Sequence, residues 1–290
     1  MAQLVLSDGL HMAYADGGSG RPLLLVHGWG ANAAFFDAQR RALEQDFRVI
    51  TLDLRGHGAS PAPDGRPTVD LLAADLIALA DHLGLEDMLA VGWSMGAMVL
   101  WRALLSGLAG RVAGMAVVDM TPRIVNDPAW SLGIKGGYDL ATSETACRAM
   151  VADWPAFTQA LARAVVADGL DAERWPLVDW IAGEAGHNEP HALSHLWGSL
   201  VQQDFRADLE RFDQPTLIVH GALSQLYAAA TSQFLETRLP DARRIAFDRS
   251  GHAPHLEEPD QFNRVVTEFA ATLTGRDRAR TRRAAATPQP

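Results

Sequence analysis

The feature that most constrains this chain is the stretch 89–98, where an apolar, strand-forming run leads into Gly-Trp-Ser-Met-Gly at 92–96. After Gly96 the sequence to Leu105 has no glycine or proline and is compatible with a helix. A strand, a tight turn and a helix therefore follow one another, with Ser94 at the turn. The glycines on both sides of the serine supply the small size that a strained turn needs. We predict that the Ser94 hydroxyl stands at the end of a sheet, beside the positive end of a helix.

Three further motifs accompany this one in a defined order along the chain. They are Leu-Val-His-Gly-Trp-Gly at 25–30, Asp-Leu-Arg-Gly-His-Gly at 53–58 and Ser-Gly-His at 250–252. Together the motifs resemble the α/β-hydrolase superfamily from about residue 20 to 272. The two tryptophan-containing motifs look most like the pimeloyl-carrier-protein methyl esterase group of carboxylesterases. The resemblance implies an α/β-hydrolase fold, which is a mostly parallel, doubly wound sheet with a helical cap insertion.

Composition sets limits on the class of protein. A hydrophobic content of 48% in 290 residues suffices for a large core, and we expect one domain that carries an insertion. The single cysteine, Cys147, excludes an internal disulfide and fits a reducing compartment. Residues 1–10 lack the pattern of a secretory leader, and no apolar run reaches bilayer length, so we expect a cytoplasmic protein without membrane contact. A net charge of −10 argues against nucleic-acid binding.

The hydrophobic pattern divides the chain into a core and an insertion. Short apolar runs alternate with helical periodicity in 1–120 and again in 207–274, which indicates two parts of one parallel α/β core. Between them, 121–206 has helical periodicity and five of the eight tryptophans, and we predict a helical cap there. We predict a closing helix over 259–273 and disorder in the Arg-rich tail 275–290. Besides the strand before Ser94, the predicted strands cover 3–6, 12–14, 22–26, 47–52, 112–118, 215–220 and 244–247.

Roles for several residues follow from the resemblance. It implies that His252 is the catalytic base and that the backbone N–H groups of Trp29 and Met95 form the oxyanion hole. His27 is expected to be structural, and His255 a neighbour of the base. Large aromatic residues near the serine predict an apolar binding surface, although cap tryptophans can equally form the cap's own core. The predicted substrate-binding residues are Trp29, Trp93, Trp130 and Trp154.

The usual acid of the catalytic triad is missing. The family's aspartate stands three residues after the glycine at Gly221, and this chain has Ser224 there. A neutral hydroxyl cannot stabilise an imidazolium as a carboxylate does. We predict that the acid is Asp119, directly after the strand 112–118, because parallel strands end at one edge of the sheet. Some haloalkane dehalogenases keep their acid at this strand end. The alternative is that Asp119 caps a turn before Pro122.

These residues predict a serine hydrolase that works through an acyl-enzyme and needs no cofactor or metal. The expected substrate is a small-molecule carboxylic ester, with a lactone or thioester next. A carrier-protein ester is disfavoured because the cap holds six basic and eleven acidic residues, a net charge of −5, which would repel an acidic carrier. Three alternatives stay open: a carbon-carbon bond hydrolase, a cofactor-free dioxygenase and a non-catalytic binding protein of the same fold. The sequence leaves substrate identity and oligomeric state open.

Overall fold

An eight-stranded sheet runs through the centre of the protein. It was obtained as a computed structural model that describes residues 1–62, 66–169 and 174–285, the last twelve of these by their backbone alone. The order across the sheet is β1-β2-β4-β3-β5-β6-β7-β8, with β1 and β2 antiparallel to their neighbours and the others parallel. The strands are β1 (Ala2–Val5), β2 (His11–Gly18), β3 (Arg21–Val26), β4 (Phe47–Leu52), β5 (Met88–Trp93), β6 (Val112–Val118), β7 (Thr216–Gly221) and β8 (Ala242–Phe247).

Ten α-helices are present in the described part of the chain, joined in places by single helical turns. Most of those in the core follow a strand and cover a face of the sheet, which confirms the predicted α/β-hydrolase fold. They are α1 (Asp37–Leu43), α2 (Val69–Leu83), α3 (Met95–Ala103), α4 (Leu140–Ala152), α5 (Trp154–Val165), α6 (Trp175–Gly186), α7 (Pro190–Val201), α8 (Ala229–Arg238), α9 (Pro254–Glu257) and α10 (Pro259–Ala285).

The central strands form because their side chains are apolar on both faces. Every residue of β5 is buried, and β6 beside it is buried except at Ala113. Their register places Trp93 opposite Val118, so the two strands end side by side at the carboxyl edge of the sheet. The residues that follow these strands, Ser94 and Asp119, therefore emerge next to each other.

The cap consists of α4, α5, α6 and α7, which lie between β6 and β7 in the segment that the sequence assigns to it. Three of its helices, α4, α5 and α7, begin at carboxylate side chains that accept backbone N–H groups, such as Asp139 on Thr142 and Asp153 on Ala156. The N–H of Phe205 donates to the carbonyl of Pro122, at 2.9 Å, and joins the two ends of the insertion.

The last helix differs from the prediction. The helix α10 continues to Ala285, whereas the sequence indicates an end at Leu273 and disorder from Gly275 onward. Gly275 disfavours helix by only about 1 kcal/mol, arginine and alanine favour it, and the next proline is Pro288, so the helix can continue. Residues 286–290 of the predicted tail lie outside the described residues. No helix in the described part of the chain has the length and apolar character needed to span a membrane.

Candidate active site

Ser94 occupies a strained turn between β5 and α3. Its φ of 52° and ψ of −124° are unfavourable for a residue with a side chain. The turn requires residues without a side chain at 92 and 96. A Cβ on Gly96 would lie 2.2 Å from the Val26 carbonyl oxygen, and one on Gly92 would lie 2.6 Å from Ala97 Cα. The half-buried Ser94 hydroxyl has no hydrogen-bond partner among the described residues. This is the strand-turn-helix arrangement that the sequence predicts.

The loop after β3 approaches the serine closely. A Cβ on Gly28 would lie 3.2 Å from Ser94 Cβ, so a glycine is required there. In the described part of the chain, neither the N–H of Trp29 nor that of Met95 donates to a protein atom. Two unused donors beside a serine are what an oxyanion hole requires.

His252 and Asp119 meet as the sequence predicts. His252 Nδ1 donates to Asp119 Oδ2 at 2.7 Å, and both side chains are almost completely buried. Asp119 has a φ of 45°, which aspartate tolerates better than most residues, and its N–H is held by the Val219 carbonyl at 2.8 Å. The backbone of His252 is fixed by Trp93, whose indole N–H donates to the His252 carbonyl at 2.7 Å. His252 is therefore oriented by a carboxylate and held by the residue next to Ser94.

Ser224, at the family's usual acid position, contacts the carboxylate. Its Oγ donates to Asp119 Oδ2 at 2.7 Å and accepts the N–H groups of Leu226 and Tyr227 at 3.3 and 3.2 Å. The same oxygen of Asp119 thus receives hydrogen bonds from both Ser224 and His252. The sequence predicts that Ser224 is no acid but gives no sign of this second hydrogen bond.

Ser94 and His252 line one small cavity of about 90 Å³. Its walls are mostly apolar, and none of the described residues that line it is a lysine, arginine, aspartate or glutamate. Tyr227 is buried there, and burial raises the pKa of its phenol, so it stays neutral. The other lining residues are Gly28, Trp29, Trp93, Met120, Ile124, Ile134, Leu161, Val165, Trp197, Leu200 and Leu226.

The predicted binding tryptophans divide into two groups. Trp29 and Trp93 line the cavity, but Trp130 and Trp154 do not, which corrects the prediction for these two. Trp130 packs edge-on against Phe234 of the core, with its indole N–H on the Arg123 carbonyl. Each side chain is buried by its neighbours, so neither reaches the cavity.

Trp154 packs edge-on against Trp29, with a distance of 6.0 Å between ring centroids. The cap tryptophan that lines the cavity is Trp197. Trp197 and Leu200 share one face of α7 at a spacing of three residues, and this helical phase is the signal that could have identified them.

Two other histidines, His27 and His255, lie buried near the site. His27 accepts the Leu54 N–H and donates to the Gly28 carbonyl at 2.7 Å, and burial lowers its pKa to about 4. His255 is enclosed by aromatic rings, and neither of its ring nitrogens has a hydrogen-bond partner among the described residues. Burial lowers the pKa of His255 to about 3. Both therefore stay neutral, and neither lines the cavity.

Hydrogen bonds join the cap to the loop that carries His252. The N–H of His252 donates to the carbonyl of Val165, the last residue of α5, at 2.8 Å. Glu257, whose pKa burial raises, accepts the N–H groups of Ala167 and Gly251 and pairs with Arg174 at 2.7 Å. The cap and the loop of His252 are thus connected by several hydrogen bonds.

Comparison with known sequences agrees with this geometry. The model of the Alpha/beta hydrolase family matches residues 23–265. A non-heme haloperoxidase from Rhodococcus erythropolis is 30% identical over 280 residues, which cover 93% of this chain and 99% of the relative. A pimeloyl-[acyl-carrier protein] methyl ester esterase from Aromatoleum aromaticum is 33% identical over 245 residues, 82% of this chain and 93% of the relative.

Solved structures repeat the same fold. An esterase from Exiguobacterium antarcticum aligns with a TM-score of 0.86 at 23% identity and covers 93% of this chain and 99% of its own. A bromoperoxidase from Bacillus anthracis aligns with a TM-score of 0.83 at 26% identity over 90% of this chain and 95% of its own. Motifs, sheet order, strained serine and the extent of these matches lead to one conclusion: the chain belongs to the α/β-hydrolase family.

Proposed function

We propose that this protein is a serine hydrolase that cleaves a small, uncharged carboxylic ester through an acyl-enzyme. The observation that carries the proposal is the 2.7 Å hydrogen bond from His252 to Asp119 at the wall of the cavity that holds Ser94. With its Nδ1 proton donated to the carboxylate, the imidazole keeps the lone pair on Nε2 for a proton of the serine. The strain at Ser94 supports an enzyme over a non-catalytic binding protein, since such strain is retained mainly where function needs it.

The chemistry runs in two halves. His252 takes the Ser94 proton as Oγ attacks the ester carbonyl, and the N–H groups of Trp29 and Met95 stabilise the oxyanion. His252 then gives the proton to the leaving alcohol, and the serine ester remains. Water, deprotonated by the same imidazole, attacks the serine ester and releases the acid. The same two N–H groups donate hydrogen bonds to the oxyanion of both tetrahedral intermediates. No further group has to stabilise the charge of that oxygen.

The cavity supports a short acyl group. An apolar cavity of about 150 Å³ holds one benzene molecule, about 25 Å³ per carbon, so about 90 Å³ suits three or four carbon atoms. Its uncharged lining offers no partner for a carboxylate or phosphate on the acyl side. The acidic cap adds a reason to prefer a small molecule over the carrier-protein ester named for several relatives.

The test combines labelling and turnover. A fluorophosphonate probe should label the wild-type protein at Ser94 and leave Ser94→Ala unlabelled. On p-nitrophenyl esters from acetate to octanoate, kcat/KM should be highest at two to four acyl carbons, and Ser94→Ala should lose at least about a thousandfold. If Ser94→Ala keeps more than about one per cent of the rate, the nucleophile is another residue.

Assays of the alternatives use the same preparation. Labelling of Ser94 without turnover of any ester would redirect the proposal to carbon-carbon bond hydrolysis or dioxygenation, tested with ring-cleavage products and quinolones. Bromide oxidation with hydrogen peroxide serves as the assay suggested by the names of the haloperoxidase relatives. No labelling and no turnover would support the non-catalytic binding protein.

A further inference from the structure

The residue that supplies one oxyanion donor is held mainly by the cap. The indole N–H of Trp29 donates to the carbonyl of Leu193 in α7 at 3.1 Å. Its ring meets three cap rings edge-on, with centroid distances of 6.0 Å to Trp154, 6.1 Å to Phe157 and 5.5 Å to Trp197. Edge-on contacts fix a ring in orientation as well as position. The Trp29 side chain is thus clamped from α5 and α7.

The backbone after Trp29 is also bound to the cap. The Asn188 side chain, buried between α6 and α7, donates to the Gly30 carbonyl at 3.0 Å. The same amide accepts the Gly58 N–H at 3.2 Å and so spans the core and the cap. Asn32 donates to Glu184 of α6 at 2.6 Å. Three of the four residues from 29 to 32 therefore have a partner in the cap.

We propose that the cap positions the Trp29 N–H for catalysis, and that Trp154 is a positioning residue of the oxyanion hole. This inference rests on the proposed ester hydrolysis. Trp154 does not line the cavity, but it stacks on Phe157, with 5.8 Å between ring centroids and 9° between ring planes, and contacts Trp29 edge-on. Its own indole N–H is fixed to the Gly186 carbonyl at 3.3 Å. Removing the Trp154 ring allows the Trp29 side chain to move, and the backbone N–H of Trp29 moves with it.

The chain offers a matched control. Trp130 is also a cap tryptophan, is buried to a similar degree (6% exposed against 8% for Trp154) and has its indole N–H on a backbone carbonyl. Its ring lies against Phe234 and Arg206, and neither belongs to the oxyanion loop. Trp130→Ala and Trp154→Ala therefore remove the same group from the same segment, and only the second removes support from Trp29.

The experiment compares these variants on p-nitrophenyl butyrate in the full-length protein. Removing an oxyanion donor outright costs about a hundred- to a thousandfold in kcat, so loosening one should cost about tenfold. We expect Trp154→Ala to lower kcat about tenfold with KM within twofold, and Trp154→Phe, which keeps a ring on Trp29, to recover to within threefold. Trp130→Ala should leave kcat within twofold. Circular dichroism and thermal unfolding monitor the fold of each variant.

A second readout separates positioning from stability. Butylboronic acid forms a tetrahedral adduct with a catalytic serine and places an oxygen in the oxyanion hole, so its inhibition constant should rise about tenfold in Trp154→Ala and stay constant in Trp130→Ala. If Trp154→Ala does not fold, Asn188→Ala takes its place, with a smaller loss of kcat in the same pattern. A raised KM with unchanged kcat, or equal effects of Trp154→Ala and Trp130→Ala, would overturn the inference. A wild-type protein without ester turnover would instead contradict the proposed function.

Discussion

The replacement Asp119→Asn is the sharpest test of where the triad acid lies. Asparagine keeps the size of the side chain and tolerates the positive φ of 45° at this position, so the backbone has no reason to change. What is lost is the negative charge that faces His252 Nδ1 at 2.7 Å in a buried setting. The variant therefore isolates the electrostatic and orienting contribution of the carboxylate.

The size of the effect follows from that geometry. With an effective dielectric constant of about 20, unit charges about 3–4 Å apart attract by about 4–6 kcal/mol. The attraction exists only when His252 is protonated, which is the state formed as Ser94 attacks. At about 1.4 kcal/mol per factor of ten, kcat should fall by about 10³ to 10⁴.

The assay is kcat and KM on one short ester, with a second variant that returns a carboxylate. Ser224 Oγ lies 2.7 Å from Asp119 Oδ2, so an aspartate at 224 can reach the space beside His252. Adding Ser224→Asp to Asp119→Asn should recover at least about tenfold of the lost rate. A kcat for Asp119→Asn within threefold of wild type would refute the assignment of Asp119 as the acid.

Three further variants probe the surroundings of the triad. Ser224→Ala removes one of the two hydrogen bonds that described residues donate to the Asp119 carboxylate. A hydrogen bond to a charged group is worth about 1.5 kcal/mol or more, so kcat should fall about tenfold at constant KM, while Ser224→Thr should keep the rate. Equal rates of the two variants would exclude this role of Ser224. Trp197→Ala should shift the ratio of kcat/KM for octanoate over butyrate esters about tenfold, and a constant ratio would show that this wall is not limiting. Burial lowers the pKa of His255 from 6.5 to about 3, so below pH 6.5 the unfolded state binds more protons than the folded state, and the stability falls as the pH is lowered from 6.5 towards 3. His255→Phe should therefore reduce the loss of melting temperature between pH 7 and 5, and an unchanged loss would contradict this.

Much of the fold could be predicted because local patterns and sheet rules agree. The predicted bounds of β4 and β6 match those of the structure, and the apolar runs explain why, since both strands are buried almost throughout. Strand β2 runs further than predicted, to Gly18, because its pairing with β4 continues to Arg48 and Asp16 forms an ion pair with that arginine. Long-range pairing of this kind leaves no periodic signal in the short segment itself.

The candidate site was predictable where topology decides and not where packing decides. The meeting of Asp119 and His252 follows from strand ends that share one edge of the sheet. Which cap tryptophan faces the cavity depends on the rotation of each helix in the cap, and the aromatic count of the segment carries no information on it. For the same reason the sequence did not indicate that Trp154 packs edge-on against Trp29.

The order of the strands also bears on how the chain is made. Strand β6 pairs on one side with β5 and on the other with β7, and residues 119–215, which include the cap, separate β6 from β7. At the usual speed of synthesis the ribosome needs about 5–20 s for that stretch, during which β6 is an uncovered apolar edge. Val112–Val118 contains no charge and no proline, so only Arg111 and Asp119 at its two ends discourage pairing with another nascent chain. Substitutions that weaken the pairing of β7 should therefore lower the yield of folded protein, most of all at a raised growth temperature. The molecules that do fold should keep their turnover rate.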